Sequence, residues 1–117
     1  VGTVVRIAPV RDGKAAGEAE WITVTAHEGD HRNVWWSPDG NLAYFFTNLD
    51  GNGCVFAQRL DPSSKRPQGE PFAVFHMHET RLRAFGGAPL GPAVLPGRII
   101  FALGEVTSNI WLAEPQP

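Results

Sequence analysis

The run Trp-Ser-Pro-Asp-Gly-Asn-Leu-Ala-Tyr-Phe-Phe at residues 36–46 most constrains what this chain can fold into. Pro38 fixes φ early in a turn, the Asp39 side chain can bond to neighbouring backbone, and Gly40 can adopt conformations that a side chain obstructs. The aromatic residues that follow favour a strand. The run therefore predicts a strand, a tight turn and a second strand that begins at once.

Strand-like segments recur along the chain, whereas no stretch shows the apolar periodicity and capping residues of a helix. Turn signals separate them, as in Arg-Asp-Gly at 11–13, Leu-Asp-Gly-Asn-Gly at 49–53 and Pro-Gly at 96–97. Short strands with a turn about every ten residues indicate an all-β fold. The strand-like segments are residues 3–8, 21–25, 33–36, 42–47, 54–60, 72–75, 98–103 and 109–113.

The composition is typical of a globular chain and argues against nucleic acid as a partner. Hydrophobic residues make up 43% and charged residues 19% of the 117 positions. A formal net charge of -2 offers no basic face for phosphates. No apolar run approaches the roughly 20 residues of a membrane-spanning helix. The single cysteine, Cys54, excludes an internal disulfide and leaves the cell compartment undetermined.

An internal repeat of about 50 residues, or four strands, indicates a β-propeller. The Gly-Glu pairs at 17–18 and 69–70 each follow a basic loop and precede an apolar strand. A second echo relates residues 43–56 to residues 99–111. A β-sandwich shows no such fixed period, so we expect four-stranded antiparallel propeller blades.

The same residues resemble a known family. The Trp-Ser-Pro-Asp-Gly motif, with the apolar strand after it, is similar to the WD-like "PD" repeat of TolB-type propellers. Residues 109–112 resemble a strand signature of that repeat, and residues 57–72 resemble sensor-like propellers fused to bacterial kinases and regulators. The resemblance covers most of residues 19–114, implies a bacterial propeller and says little about activity. The motif residues are Trp36, Ser37, Pro38, Asp39 and Gly40, with Trp111 in the later signature.

The strand count predicts a partial propeller of about two blades and nine strands. Residues 1–25 would supply the last two strands of a preceding blade, residues 26–78 a complete blade, and residues 79–117 a degenerate terminal blade. A closed ring needs at least about four blades. We therefore expect a homo-oligomer or a missing propeller half, with an open two-sheet structure as the third alternative.

We expect the aromatic side chains to form the core rather than a binding platform. Buried aromatic rings remove about 150–250 Å² each from water. Trp36 is predicted to pack between adjacent blades, and its expected neighbours are Tyr44, Phe46, Phe56 and Trp111.

His76 and His78 are candidate metal ligands. They lie two residues apart on a predicted strand, so both rings should point to one face. A divalent metal could bind this pair together with a carboxylate, and a solvent-facing polar pair is the alternative. The set Asn48, Asp50 and Asn52 is expected to be a hairpin turn, because the downstream glutamate of a calcium loop is missing. Cys54 is expected to be a buried, unreactive thiol.

Two functions follow as hypotheses. The first is a non-catalytic protein-interaction or ligand-sensing module that binds through loops such as residues 26–33 and 77–91. It is favoured because no motif assembles a catalytic set. The alternative is part of a propeller hydrolase, whose divalent metal would be held by His76 and His78, with Glu79 or His31.

Overall fold

The computed structural model describes residues 2–25, 29–49, 53–78, 83–84, 92–105 and 107–116. Over these residues the chain contains strands and one 3-10 turn at Glu18–Glu20, which confirms the all-β part of the predicted fold class. The described strands are β1 (Arg6–Ile7), β2 (Val10–Arg11), β3 (Lys14–Ala15), β4 (Ile22–Thr23), β5 (Arg32–Trp36), β6 (Leu42–Thr47), β7 (Cys54–Leu60), β8 (Pro67–Phe75), β9 (Arg83–Ala84), β10 (Ala93–Leu95), β11 (Arg98–Ile100) and β12 (Leu103–Gly104).

A four-stranded antiparallel sheet, the main sheet, dominates the fold. Its strands β5, β6, β7 and β8 are neighbours in chain order. The remaining strands form two-stranded antiparallel sheets, in which β1 pairs with β4, β2 with β3, β9 with β12, and β10 with β11. The main sheet lies within the segment expected to be a complete blade, and the division of the chain into blades stays a prediction.

One face of the main sheet is covered by the N-terminal segment. Ala43 of β6 and Leu60 of β7 cluster with Val5 and Val24, and all four are buried. Further along the same strands, Phe45, Cys54 and Phe56 form a second buried cluster. The apolar residues of β6 on this face therefore occupy every second position, as the pleat of a strand requires.

The opposite face is covered by aromatic contacts with the segment at residues 92–105. The ring of Phe101 lies 6.5 Å from that of Phe46 and 5.7 Å from that of Phe75. Trp35 packs edge-on against Phe46 at 5.0 Å. One face of the main sheet is thus covered by a segment that precedes it in the sequence, and the other face by a segment that follows it.

Trp36 lies on the face of the main sheet opposite to Tyr44 and Phe46, two of the neighbours that the sequence predicted for it. Trp36 pairs with Ala43, whereas Trp35 pairs with Tyr44 and shares the face of Phe46. Because neighbouring residues of a strand point to opposite faces, a shift of one residue exchanges the two indoles. Trp35 therefore makes the aromatic contact expected of Trp36, and Trp36 is 46% exposed.

A buried amide supports a bulge between β7 and β8. The pairing passes from Ala57 with Phe72 to Arg59 with Gln68, so the β8 strand carries extra residues here. Gln58, on β7, is 2% exposed and donates from Nε2 to the carbonyls of Arg59, Gln68 and Gly69 at 3.0, 3.1 and 3.1 Å. The buried amide thus supplies hydrogen bonds to backbone carbonyls on both strands beside the bulge.

The strand predicted over residues 109–113 is not formed. Residues 107–116 have no assigned secondary structure, and Trp111 is 88% exposed. Pairing of a strand needs a neighbour, and the expected blade partner for this segment is not assembled within the described residues. In the part of the chain that the structure describes, no helix combines the length and apolar character needed to cross a bilayer.

Candidate functional site

One end of the main sheet is formed by the turns at residues 37–41 and 61–66; we call it the turn end. Ser37 Oγ donates to Asp39 Oδ1 at 2.5 Å and accepts from the Leu42 N–H at 2.9 Å. Asp39 Oδ1 also accepts from the Asn41 N–H at 2.9 Å. Gly40 has a φ of 72°, in the left-handed region that favours glycine. The motif residues therefore act as turn residues, bonded to one another.

The second turn is organised by Asp61 and joined to the first by Lys65. Asp61 Oδ1 accepts from the N–H groups of Ser63 and Ser64 at 3.0 and 2.7 Å. Lys65 Nζ donates to the Gly40 carbonyl and to Asn41 Oδ1, both at 3.0 Å. One ammonium group thus links two turns that are separated in sequence.

These bonds lower the pKa of two carboxyl groups. For Asp39 the hydrogen bond from Ser37 is the largest cause, followed by that from the Asn41 backbone. For Asp61 the backbone N–H of Ser64 is the largest cause, followed by its hydroxyl. Each bond favours the charged carboxylate over the neutral acid. Both groups act structurally in their ionised form.

The opposite end of the main sheet, the histidine end, brings together His31, Thr47, Cys54, His76 and His78. His31 is 5% exposed, and its Nδ1 lies 2.8 Å from Thr47 Oγ1. The His31 backbone N–H donates to Thr3 Oγ1, and that hydroxyl donates to the His31 carbonyl, both at 2.8 Å. His31 therefore fastens the N-terminal segment to the main sheet.

The His31 ring packs closely against Phe45 and Gly29. Its ring meets Phe45 edge-on at 5.5 Å. A Cβ placed on Gly29 would lie 3.0 Å from His31 Cε1, so the absence of a side chain at Gly29 allows the ring to fit. His31, which the sequence proposed as an alternative ligand, lies in this packed position and outside the described metal-ligating cluster.

Cys54, His76 and His78 form the candidate metal centre, which we call the Cys-His-His cluster. One ligand atom from each residue lies within 4.8 Å of the others. His76 Nδ1 and His78 Nε2 are 3.3 Å apart, and their rings are perpendicular with centroids 4.9 Å apart. The three residues are thus close enough to bind a metal.

The fold explains why these three residues meet. Cys54 begins β7, and the two histidines follow the end of β8, which is the neighbouring strand. Between the histidines, Met77 is 2% exposed, so the two imidazoles project away from the core while Met77 enters it. The Met77 N–H donates to Cys54 Sγ at 3.4 Å, which ties the histidine segment to the cysteine.

Sequence reasoning identified the two histidines and missed their third partner. The sequence predicted a carboxylate beside them, whereas Cys54 occupies that place among the described residues. Cys54 is fully buried, as expected. Its signal was its position at the start of a strand whose neighbour is followed by two histidines, and this signal requires the pairing of β7 with β8. Glu79, the carboxylate proposed as a further ligand, lies outside the described residues, as do Asp50 and Asn52.

No protein-family model, no curated protein and no solved structure matches this chain.

Proposed function

We propose that this chain is a non-catalytic interaction module whose sheets pack against those of a second copy, in the manner of blades in a larger propeller. The observation that carries the proposal is the apolar segment at residues 110–112. Ile110, Trp111 and Leu112 are 102%, 88% and 87% exposed. Burial of side chains of this size contributes about 1.5–3 kcal/mol each.

The main sheet offers places to receive such a segment. Its outer strands are β5 and β8, and an extended segment can add to an exposed sheet edge through backbone hydrogen bonds. Trp36 on β5 and Phe75 on β8 are 46% and 41% exposed. An inserting segment and partly uncovered aromatic edges thus occur in the same chain, which supports a second copy as the partner.

The test is the absolute mass in solution, by size-exclusion chromatography with light scattering. We expect a discrete oligomer for the full chain and a monomer with unchanged circular dichroism for Trp111→Glu. Val10→Glu is the matched control, because Val10 is also exposed, at 68%, and lies in the separate β2–β3 hairpin. A monomeric full chain across the concentration range contradicts the proposal, as does an oligomer that Trp111→Glu leaves intact.

A second candidate function is part of a metal-dependent hydrolase, and the approach of Cys54 to His76 and His78 favours it. A metal with three protein ligands keeps a position for water, which the metal activates as a nucleophile. Hydrolysis of an activated ester by the zinc-loaded chain tests this candidate. Turnover that is lost in the double variant His76→Ala, His78→Ala supports it, and a rate equal to that of free zinc contradicts it.

A further inference from the structure

We infer that the Cys-His-His cluster is a Zn²⁺ site that locks the end of β8 to the start of β7. This inference does not depend on the interaction function proposed above. Cys54 is the third ligand in this site, and the metal ion stabilises the histidine end of the main sheet.

The spacing of the two imidazoles already fits a tetrahedral ion. Two nitrogens that each lie about 2.0–2.1 Å from Zn²⁺ are about 3.3–3.4 Å apart in tetrahedral geometry. His76 Nδ1 and His78 Nε2 are 3.3 Å apart. Without an ion, one proton between these nitrogens makes the contact a hydrogen bond. When the ion binds, that proton leaves to solvent, the other nitrogen of the same ring takes up a proton, and the ion bonds to both ligand nitrogens.

The sulfur can join the two nitrogens with a small adjustment. A nitrogen and a sulfur on one tetrahedral zinc ion lie about 3.6 Å apart. One ligand atom from each of the three residues lies within 4.8 Å of the others, so the largest approach needed is about 1 Å. Both histidines are exposed, whereas Cys54 is buried. Rotation of the two imidazoles over a fixed sulfur therefore completes the set.

The ligand types select the metal class. A thiolate with two imidazoles suits Zn²⁺, whereas Ca²⁺ and Mg²⁺ prefer oxygen ligands. The thiol must lose its proton to solvent when the ion binds, so the affinity should rise with pH. The Met77 N–H that donates to Cys54 Sγ is the kind of outer contact that orients a metal ligand.

The consequence is a cross-link between neighbouring strands. Cys54 is the first residue of β7, and the histidines lie beyond Phe75, the last residue of β8. An ion bound by all three residues restrains the chain after β8 at a point where the strand ladder has ended. Because such an ion binds the folded chain more tightly than the unfolded chain, it raises the melting temperature.

The experiment uses the full chain without an affinity tag, stripped with a chelator and then titrated with Co²⁺ as a spectroscopic substitute for Zn²⁺. We expect one equivalent of metal per chain and a near-ultraviolet thiolate-to-cobalt band that excess Zn²⁺ abolishes. Zn²⁺ at about 100-fold above its dissociation constant should raise the melting temperature by at least about 4 °C.

Variants assign the ligands. His76→Ala and His78→Ala remove exposed side chains, so the fold should persist while the affinity for Zn²⁺ falls by at least about tenfold. Cys54→Ala should abolish the charge-transfer band. Met77→Leu is the matched control, because it conserves volume in the same segment and retains all three ligands; it should bind one equivalent. Wild-type affinity in the His76→Ala, His78→Ala double variant overturns the inference, as does a cobalt spectrum without the thiolate band.

Discussion

The two ends of the main sheet are stabilised by contacts of different range. At the turn end, Ser37 bonds to Asp39 and Leu42, and Asp39 also bonds to Asn41, so most contacts join residues a few positions apart. At the histidine end, Thr3 contacts His31 and Cys54 contacts Met77 across separations of 28 and 23 residues. A sequence motif therefore predicts the turn end well, whereas the candidate metal ligands come together at the end where distant segments meet.

Charge distinguishes the two ends as well. The carboxylates of the turn end accept several hydrogen bonds from nearby groups and stay ionised as structural parts. The histidine end combines a buried sulfur with two exposed imidazoles, which are groups that take up metal ions. Conditions that affect one end should therefore leave the other largely unchanged, and the following substitutions test this separation.

The largest effect is expected from Phe45→Ala. Phe45 is fully buried and packs against His31, so the variant leaves a cavity beneath the histidine end. The loss should be about 3–5 kcal/mol in the free energy of unfolding. Urea denaturation followed by circular dichroism measures it. Phe75→Ala is the comparison, because Phe75 is 41% exposed and should cost clearly less. Equal losses would show that the histidine end is no better packed than the sheet edge.

Thr47→Val should have the next largest effect, of about 1–3 kcal/mol. The substitution keeps the shape of a 2% exposed side chain and removes the hydroxyl that lies 2.8 Å from His31 Nδ1. Thr47→Ser keeps the hydroxyl and serves as the control. The free energy of unfolding of both variants is measured in urea. If Thr47→Val were as stable as the wild type, the contact between Thr47 and His31 would contribute nothing to the stability of the histidine end.

At the turn end, Gly40→Ala should destabilise the chain by about 1–2 kcal/mol. The cause is backbone strain, because Gly40 has a φ of 72° and the new Cβ would lie at an ordinary 3.6 Å from Lys65 Nζ. Gly17→Ala is the control. Gly17 has an extended backbone conformation with a φ of -62°, and a Cβ added there would have no atom within 4 Å. Thermal unfolding compares the two variants. If Gly17→Ala lost more stability than Gly40→Ala, backbone strain at Gly40 would not explain the effect of its substitution.

The smallest effect is the pH dependence contributed by Asp39. Its pKa is lower in the folded chain than its ordinary value of 3.8, mainly through the Ser37 hydrogen bond. The folded state then binds fewer protons than the unfolded state, so this stabilisation is present above pH 3.8 and disappears as the pH falls through the lowered pKa. Asp39→Asn should therefore show a shallower loss of stability in acid than the wild type.

Unfolding in urea over a series of pH values checks this prediction. Asp12→Asn is the control, because Asp12 lies in the separate β2–β3 turn. An acid dependence in Asp39→Asn that is as steep as in the wild type would mean that the turn end does not depend on this charge.

It was possible to predict from the residues alone the all-β class, the turn at residues 37–41 and the candidate ligand pair His76 and His78. These features rest on bonds and alternation within a few residues, and composition and spacing report such short distances directly. The later signature at residues 109–112 was readable as a β-prone segment, but its side chains remain exposed because a strand also needs a neighbour.

The contacts between distant residues depend instead on how the strands pair and pack in three dimensions. Cys54 joins the histidines because β7 pairs with β8, and Trp35 rather than Trp36 contacts Phe46 because the register assigns it to that face. His31 is buried because Thr3, far away in the chain, returns to bond with it. Such contacts depend on strand register and packing between distant segments, and one residue of slip reverses the face of every side chain on a strand.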